Sequence, residues 1–404
     1  MSTQDETDHD AVPTMVCPVC EVDVPAGNFC GLCGAHRASA EAKGPRWLRG
    51  DAFGAAPNEN VLLPSVASSL FPHIPKRSRA PFRVGLMLVL VGLVGFAIVK
   101  MPSALITICA LGLPVLFLLY LAESGVYRDM SMSSLAAAGL LGAGFGVGWI
   151  LLTGEIVARA YGVPMAAGLA LQHLVKEGIA IPTGGVLLML VPTLVVRLLG
   201  AGSRESLDGF VVGALSSLMF AAGATLTRLA PQFATGLFAH GRPMKGLFVE
   251  AGICGVTIPL TAAVAGGMLG IALWFKGPSG NAHERPGRIR AILFLLAAVV
   301  VLMHIGVACT DLLGLPQLQV LGLHVLIMVI ALILLRISLQ LALMHEAHDP
   351  IQQDEPILCI HCEMVVPDMA FCPACGAASR ASSRISRQAR RESRPVRQVA
   401  AEGS

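Results

Sequence analysis

Charge is what this 404-residue chain has least of: 14% of its residues are Asp, Glu, Lys or Arg, against 54% hydrophobic. Soluble globular domains carry about 25% charged residues, so a mean hydropathy of +0.70 excludes that class and points to a polytopic membrane protein. An N-terminal targeting run is also missing. Residues 1–16 hold Asp5, Glu6, Asp8 and Asp10, with neither the basic start nor the apolar stretch of a signal peptide, so this end is expected to stay in the cytosol. None of the apolar runs contains a Glu-Glu pair. The C-terminal tail has no aromatic residue, which removes the stacking that single-stranded nucleic acid favours.

What is present begins with an internal repeat. CPVCEVDVPAGNFCGLCGA, residues 17–35, returns as CIHCEMVVPDMAFCPACGA, residues 359–377. Each copy has two CxxC pairs separated by nine residues, and the copies share a Glu, a Val-Pro, a Phe before the third Cys and a closing Gly-Ala. Four thiolates on two short loops suit tetrahedral zinc, and the Gly after the last Cys permits the tight turn. A disulfide framework or a redox CxxC would use the same residues, but two CxxC pairs at this spacing, present twice, favour a metal. The expected ligands are Cys17, Cys20, Cys30 and Cys33 for one zinc, and Cys359, Cys362, Cys372 and Cys375 for a second. The copies resemble zinc ribbons, a likeness that implies a fold and a metal but no activity. Such a piece is too small to bury a core, so its folding depends on the ion. The other three cysteines, Cys109, Cys254 and Cys309, sit singly in apolar runs and read as packing residues.

Between the copies the chain divides into a Pro/Gly/Arg-rich linker over 36–83, with little structure of its own expected, a membrane domain over 84–343 and a linker over 344–358. Runs long enough to cross about 30 Å of hydrocarbon fall at 84–99, 103–121, 134–152, 183–199, 208–226, 248–275, 289–310 and 318–343. Residues 161–181 are apolar but carry His173, Lys176 and Glu177, and read as an interfacial or re-entrant helix. The expected fold is an all-α membrane bundle of about eight crossings flanked by two small zinc ribbons. Eight crossings put both termini on one side. Basic residues gather at Lys76, Arg77, Arg79 and Arg83, at Arg204, and at Lys276, Arg285, Arg288 and Arg290. The opposite loops hold fewer, so the positive-inside rule places both termini in the cytosol of a cell (inner) membrane.

Glycines recur within the crossings at Gly142, Gly144, Gly146, Gly148, Gly209, Gly213, Gly266, Gly267 and Gly270. Small residues at such spacing let backbones approach closely in lipid. Ionisable residues within or beside the crossings are Arg197, Asp208, Glu250, His304, Asp311, His324 and Arg336. Most lie near the ends, where long side chains snorkel and Asp caps a helix. His304 is deeper, and with Asp311 or His324 is a candidate metal or proton site; Glu250 is a third intramembrane candidate.

Residues 208–226, DGFVVGALSSLMFAAGATL, resemble a stretch of the PrsW-type intramembrane metalloproteases, in which an acidic residue and Gly open a small-residue helix. The likeness extends to the Gly-rich sixth crossing and to His304 in the seventh, in the place of a late histidine. It implies a shared helical fold. The family's glutamate pair is lacking, and the place of its later glutamate falls near Gly223 and Ala224, so no catalytic residue is assigned.

The tail, residues 378–404, carries Arg380, Arg384, Arg387, Arg391 and Arg394 at steps of four and three, an arginine stripe if helical. A solvated tail is the plain reading. An anionic leaflet, always within reach of a tethered tail, is a better partner than nucleic acid. The expected function is a membrane-anchored interaction or regulatory scaffold that presents the ribbons to a cytosolic or membrane protein, without catalysis and with no small-molecule substrate identified. A protease-like enzyme or transporter is the alternative; a bundle cavity lined by His304, Asp311 and Glu250 would favour it.

Overall fold

The computed structural model describes residues 13–18, 21–32, 34–37, 60–71, 79–123, 131–160, 179–199, 205–235, 243–277, 286–310, 314–346, 356–359, 361–377 and 390–392. These fall into two compact units. One is the membrane-type bundle. The other holds both cysteine repeats.

In the bundle, α1 (Val66–Leu70) is followed by α2 (Arg79–Val99), α3 (Pro102–Glu123), α4 (Met132–Ala160), α5 (Ile181–Leu198) and α6 (Ser206–Leu229). Then come α7 (Met244–Gly252), a π-helical turn (Ile253–Thr257), α8 (Ile258–Trp274), α9 (Pro286–Ala308) and α10 (Gln317–His345). Backbone amides in hydrocarbon find partners only within a helix, which is why each apolar run folds this way. With α7, the π-turn and α8 counted as one span, eight helices among the described residues are long and apolar enough to cross a membrane. The chain is a multi-pass membrane protein by that measure. Residues 161–178 lie outside the described residues.

Helix α6 is the centre of the bundle. It starts with a capping box in which the Glu205 N–H donates to Asp208 Oδ2 at 3.3 Å, so Asp208 is occupied in ending a helix. One side of α6 meets α8 backbone to backbone: a Cβ on Gly213 would strike the Gly266 carbonyl, and one on Gly209 the Gly270 carbonyl. Its other side meets α4, where a Cβ on Gly142 would strike the Ser216 carbonyl and one on Gly146 the Phe220 carbonyl. Gly144 and Gly148 have open space around them. The glycine pattern is therefore a packing device at some positions and idle at others.

The linker segment 36–83 is less featureless than its composition suggests. Ala67, Ser68, Ser69 and Leu70 of α1 are buried. Arg336 of α10, which the sequence placed near a span end, is fully buried and donates from an Nη to Ser68 Oγ at 2.5 Å. A short polar helix thus supplies a partner for a guanidinium inside the bundle, where an unpartnered charge is costly.

At the far end of α10, just past the span, the Glu346 carboxyl accepts from the Ser206 N–H and Oγ–H, both at 2.7 Å, and so caps α6. Burial pushes this carboxyl up to about 8, against the opposing Ser206 hydrogen bonds and with Glu205 and Asp208 adding to the rise. Its neutral form is thus favoured by folding. That contribution is complete below the unfolded value, near 4.5, and is lost as pH rises through about 8. The thermal midpoint in detergent is expected to fall between about pH 5 and 8, and Glu346→Gln to flatten that slope. Glu346→Ala would strand two buried donors, at a cost of about 1–3 kcal/mol.

Candidate metal centre and intramembrane cavity

The repeats build two copies of one small fold. In the first, β1 (Thr14–Val16) and β2 (Asp23–Pro25) pair antiparallel with Met15 opposite Val24. In the second, β3 (Pro356–Leu358) and β4 (Val365–Pro367) pair with Ile357 opposite Val366, the same register. The turns match as well. Glu21 N–H donates to the Cys17 carbonyl at 2.9 Å and Glu363 N–H to the Cys359 carbonyl at 2.8 Å, both Glu residues at φ 58°. Gly34 and Gly376 close the second knuckles at φ 69° and 73°, a left-handed conformation that glycine adopts without the steric cost a Cβ brings.

In the C-terminal copy the four ligand atoms of Cys359, Cys362, Cys372 and Cys375 lie within 4.8 Å of one another. Cys359 and Cys375 Sγ are 3.7 Å apart, Cys362 and Cys372 Sγ 3.8 Å. Four sulfurs each about 2.3 Å from one ion at tetrahedral corners would be separated by about 3.8 Å, so the donor set fits a tetrahedral metal. Hydrogen bonds from Cys372 and Cys375 hold the Cys359 thiol well below its usual range, and the same bonds push Cys372 and Cys375 up; the thiolate is the ligating form, so a metal would have to displace the remaining thiol protons. In the N-terminal copy Cys17 and Cys30 are buried; Cys20 and Cys33 lie outside the described residues.

The copies also pack against each other. The Phe29 N–H donates to the Pro373 carbonyl at 2.9 Å and the Phe371 N–H to the Gly31 carbonyl at 2.8 Å. The Phe371 ring lies where a Cβ on Gly34 would go, and the Phe29 ring where one on Gly376 would go. Each pair maps onto the other when the copies are exchanged, the mark of an isologous contact. Met369 of the second copy joins Cys17, Val24 and Cys30 in the apolar core of the first. The sequence repeat signalled two modules, but nothing local in it signalled this pairing.

Of the tail arginines, Arg391 pairs with Asp368 beside the second copy, its Nε–H donating to Oδ2 at 3.0 Å. Arg380, Arg384, Arg387 and Arg394 lie outside the described residues.

The intramembrane candidates resolve into hydrogen-bonded and cavity-lining groups. His304 Nδ1 meets Thr261 Oγ1 at 2.9 Å. His324 Nδ1 meets Thr257 Oγ1 at 3.3 Å, and its Nε2 meets Thr310 Oγ1 at 3.1 Å. Thr257 and Thr261 sit one turn apart and bind histidines from α10 and α9. A neutral imidazole donates at one nitrogen and accepts at the other, so either Thr257 or Thr310 turns its hydroxyl from a backbone carbonyl to the ring. Glu250, Arg228, Gln317 and His324 line a cavity of about 700 Å³, and His304 lines a neighbouring one of about 170 Å³. Asp311 lies outside the described residues. Among the described residues the four C-terminal cysteines alone bring three or more ligand-type side chains within metal reach. His304, His324 and Glu250 do not.

Cys109 packs in an apolar cluster with Leu93, Ala97, Leu105, Leu247 and Ala251, and half-buried Cys254 lies against it. His345, at the end of α10, bonds the Leu341 carbonyl through Nδ1 at 3.0 Å, an ordinary helix-end contact.

No family model, curated protein or solved structure matches the chain, so the likeness to PrsW-type proteases rests on the residues quoted for it alone and gains no support from these comparisons.

Proposed function

We propose that the protein is a membrane-anchored scaffold that holds two zinc ribbons, paired with each other, and a basic tail at the cytosolic surface, where they bind a protein partner. The reading rests chiefly on the tetrahedral cysteine cluster within a unit formed by the two ends of the chain. The repeat supports zinc in both copies, and the loop charges support cytosolic termini. Apolar side chains left exposed on the first ribbon, Met15 at 47% and Val16 at 65%, suit a protein partner. No chemical step is assigned to the bundle.

The cavity lined by Glu250, Arg228 and His324 favours a second reading, in which the bundle binds or moves a small polar solute. One experiment separates the two. Under the scaffold reading, tag-purified protein is expected to retain a copurifying partner in His304→Gln and His324→Gln and to lose it in Cys359→Ser/Cys372→Ser, with reporters fused at either terminus active only inside the cell. A partner insensitive to the cysteines, or a solute flux abolished by the histidine changes, would replace it.

A further inference from the structure

The pairing of the ribbons carries more than proximity. Residues that support each cysteine set come from the other copy. Phe29, held edge-on at 4.7 Å by the His36 ring, covers Gly376, the residue after Cys375. Phe371 covers Gly34, the residue after Cys33. Both glycines have positive φ, so each aromatic ring lies against a left-handed turn that glycine makes without a Cβ in the way. Met369 fills the space above Gly31, and Pro373 the space above Gly27. Met369 is buried with Cys17 and Cys30, so the first copy's core is incomplete without the second. Two main-chain hydrogen bonds, Phe29 to Pro373 and Phe371 to Gly31, fix the register of the pair.

We propose that the two ribbons are one clasp in which Phe29 is a positioning residue for the C-terminal metal site and Phe371 for the N-terminal one, so that metal held by either copy strengthens its binding by the other. This rests on the zinc-ribbon reading above. Three observations lead to it. A ribbon of this size gains most of its folding free energy from the ion. Residues behind the ligands orient them and tune affinity. Each of those residues belongs to the opposite copy, Phe29 lying over Gly376, Phe371 over Gly34, Met369 over Gly31 and Pro373 over Gly27. Folding of one copy therefore lowers the cost of ordering the other, which is positive coupling between two sites, and it is reciprocal.

The test uses the full-length protein in detergent, challenged with a zinc chelator, while a thiol alkylator labels the cysteines and mass spectrometry reads each one. In the unaltered protein all eight repeat cysteines should be labelled slowly, at a rate that rises with chelator. Phe29→Ala is expected to speed labelling of Cys372 and Cys375, in the other copy, by about 5–150-fold, the usual range of site-to-site coupling. Phe371→Ala should do the same to Cys17 and Cys30. Phe29→Leu, which keeps an apolar cover over Gly376, should restore most of the protection. If Phe29→Ala unfolds its own ribbon, the far copy still reports, because it then loses its whole partner. Acceleration confined to the substituted copy overturns the clasp and leaves zinc binding intact. Fast labelling of the unaltered protein, indifferent to chelator, overturns both.

Discussion

A chain carrying Cys359→Ser and Cys372→Ser is expected to lose metal and the fold of its C-terminal ribbon together, while its crossings remain inserted. Each change removes one ligand from a separate CxxC knuckle, leaving Cys362 and Cys375 as a two-thiol set that cannot close a tetrahedral site. Binding free energies for such sites are about 10–16 kcal/mol near neutral pH. The hairpin and turns around Ile357, Cys359, Val366 and Cys372 are too small to replace that. Elemental analysis is expected to fall by at least one metal ion per chain, and protease to cut within residues 356–377. Retention of a protease-resistant ribbon without metal would show that the cysteines pack and do not ligate. The bundle has no cysteine from this set, so its folding in detergent should be unchanged.

Enlarging a glycine on the central helix is the second large effect. Gly213 and Gly266 face each other across α6 and α8 so closely that either Cβ would meet the opposing carbonyl oxygen. The obstacle is backbone, which cannot rotate away as a side chain would. Gly213→Leu must push two helices apart along a contact repeated at Gly209 and Gly270; overpacking typically costs about 1–3 kcal/mol, and a backbone obstacle met twice puts this change at or above the upper end. The expected result is little or no folded protein after extraction. Gly144→Ala and Gly148→Ala are the matched controls. Neither meets a neighbouring atom, so the thermal midpoint should stay within a few degrees. Similar losses at all three positions would mean that helix flexibility, not close approach, is what glycine supplies.

The contrast between those glycines marks the limit of what could be read from the chain. Apolar runs name the crossings because hydrophobic length is a property of each segment alone, and the helices follow them with ends shifted by a few residues. The CxxC pairs point to a metal-ion site because each knuckle is set locally, and the four C-terminal cysteines do lie within reach of one ion. Which glycines touch a neighbour depends on how helices are rotated, and nothing in 142–148 distinguishes Gly142 and Gly146 from Gly144 and Gly148. Arg336 looked like a residue near a helix end because its partner is a serine in a linker with no apolar period. His304 stood out as a costly polar group, but the threonine that bonds it, Thr261, lies on another helix. Phe29 and Phe371 were visible as shared letters of the repeat, yet each covers the closing glycine of the other copy, a contact between segments more than 300 residues apart in sequence.

That last contact has a consequence for how the molecule is made. A ribosome adds about 5–20 residues per second, so roughly 20–70 seconds pass between the emergence of Phe29 and that of Phe371. Throughout that interval the first ribbon lacks Met369 in its core and Pro373 at its edge, while every crossing is being threaded into the bilayer. A chain halted before the second repeat leaves the space over Gly31 without Met369 and that over Gly27 without Pro373, so the early ribbon's cysteines stay more open to alkylation until the later repeat is made.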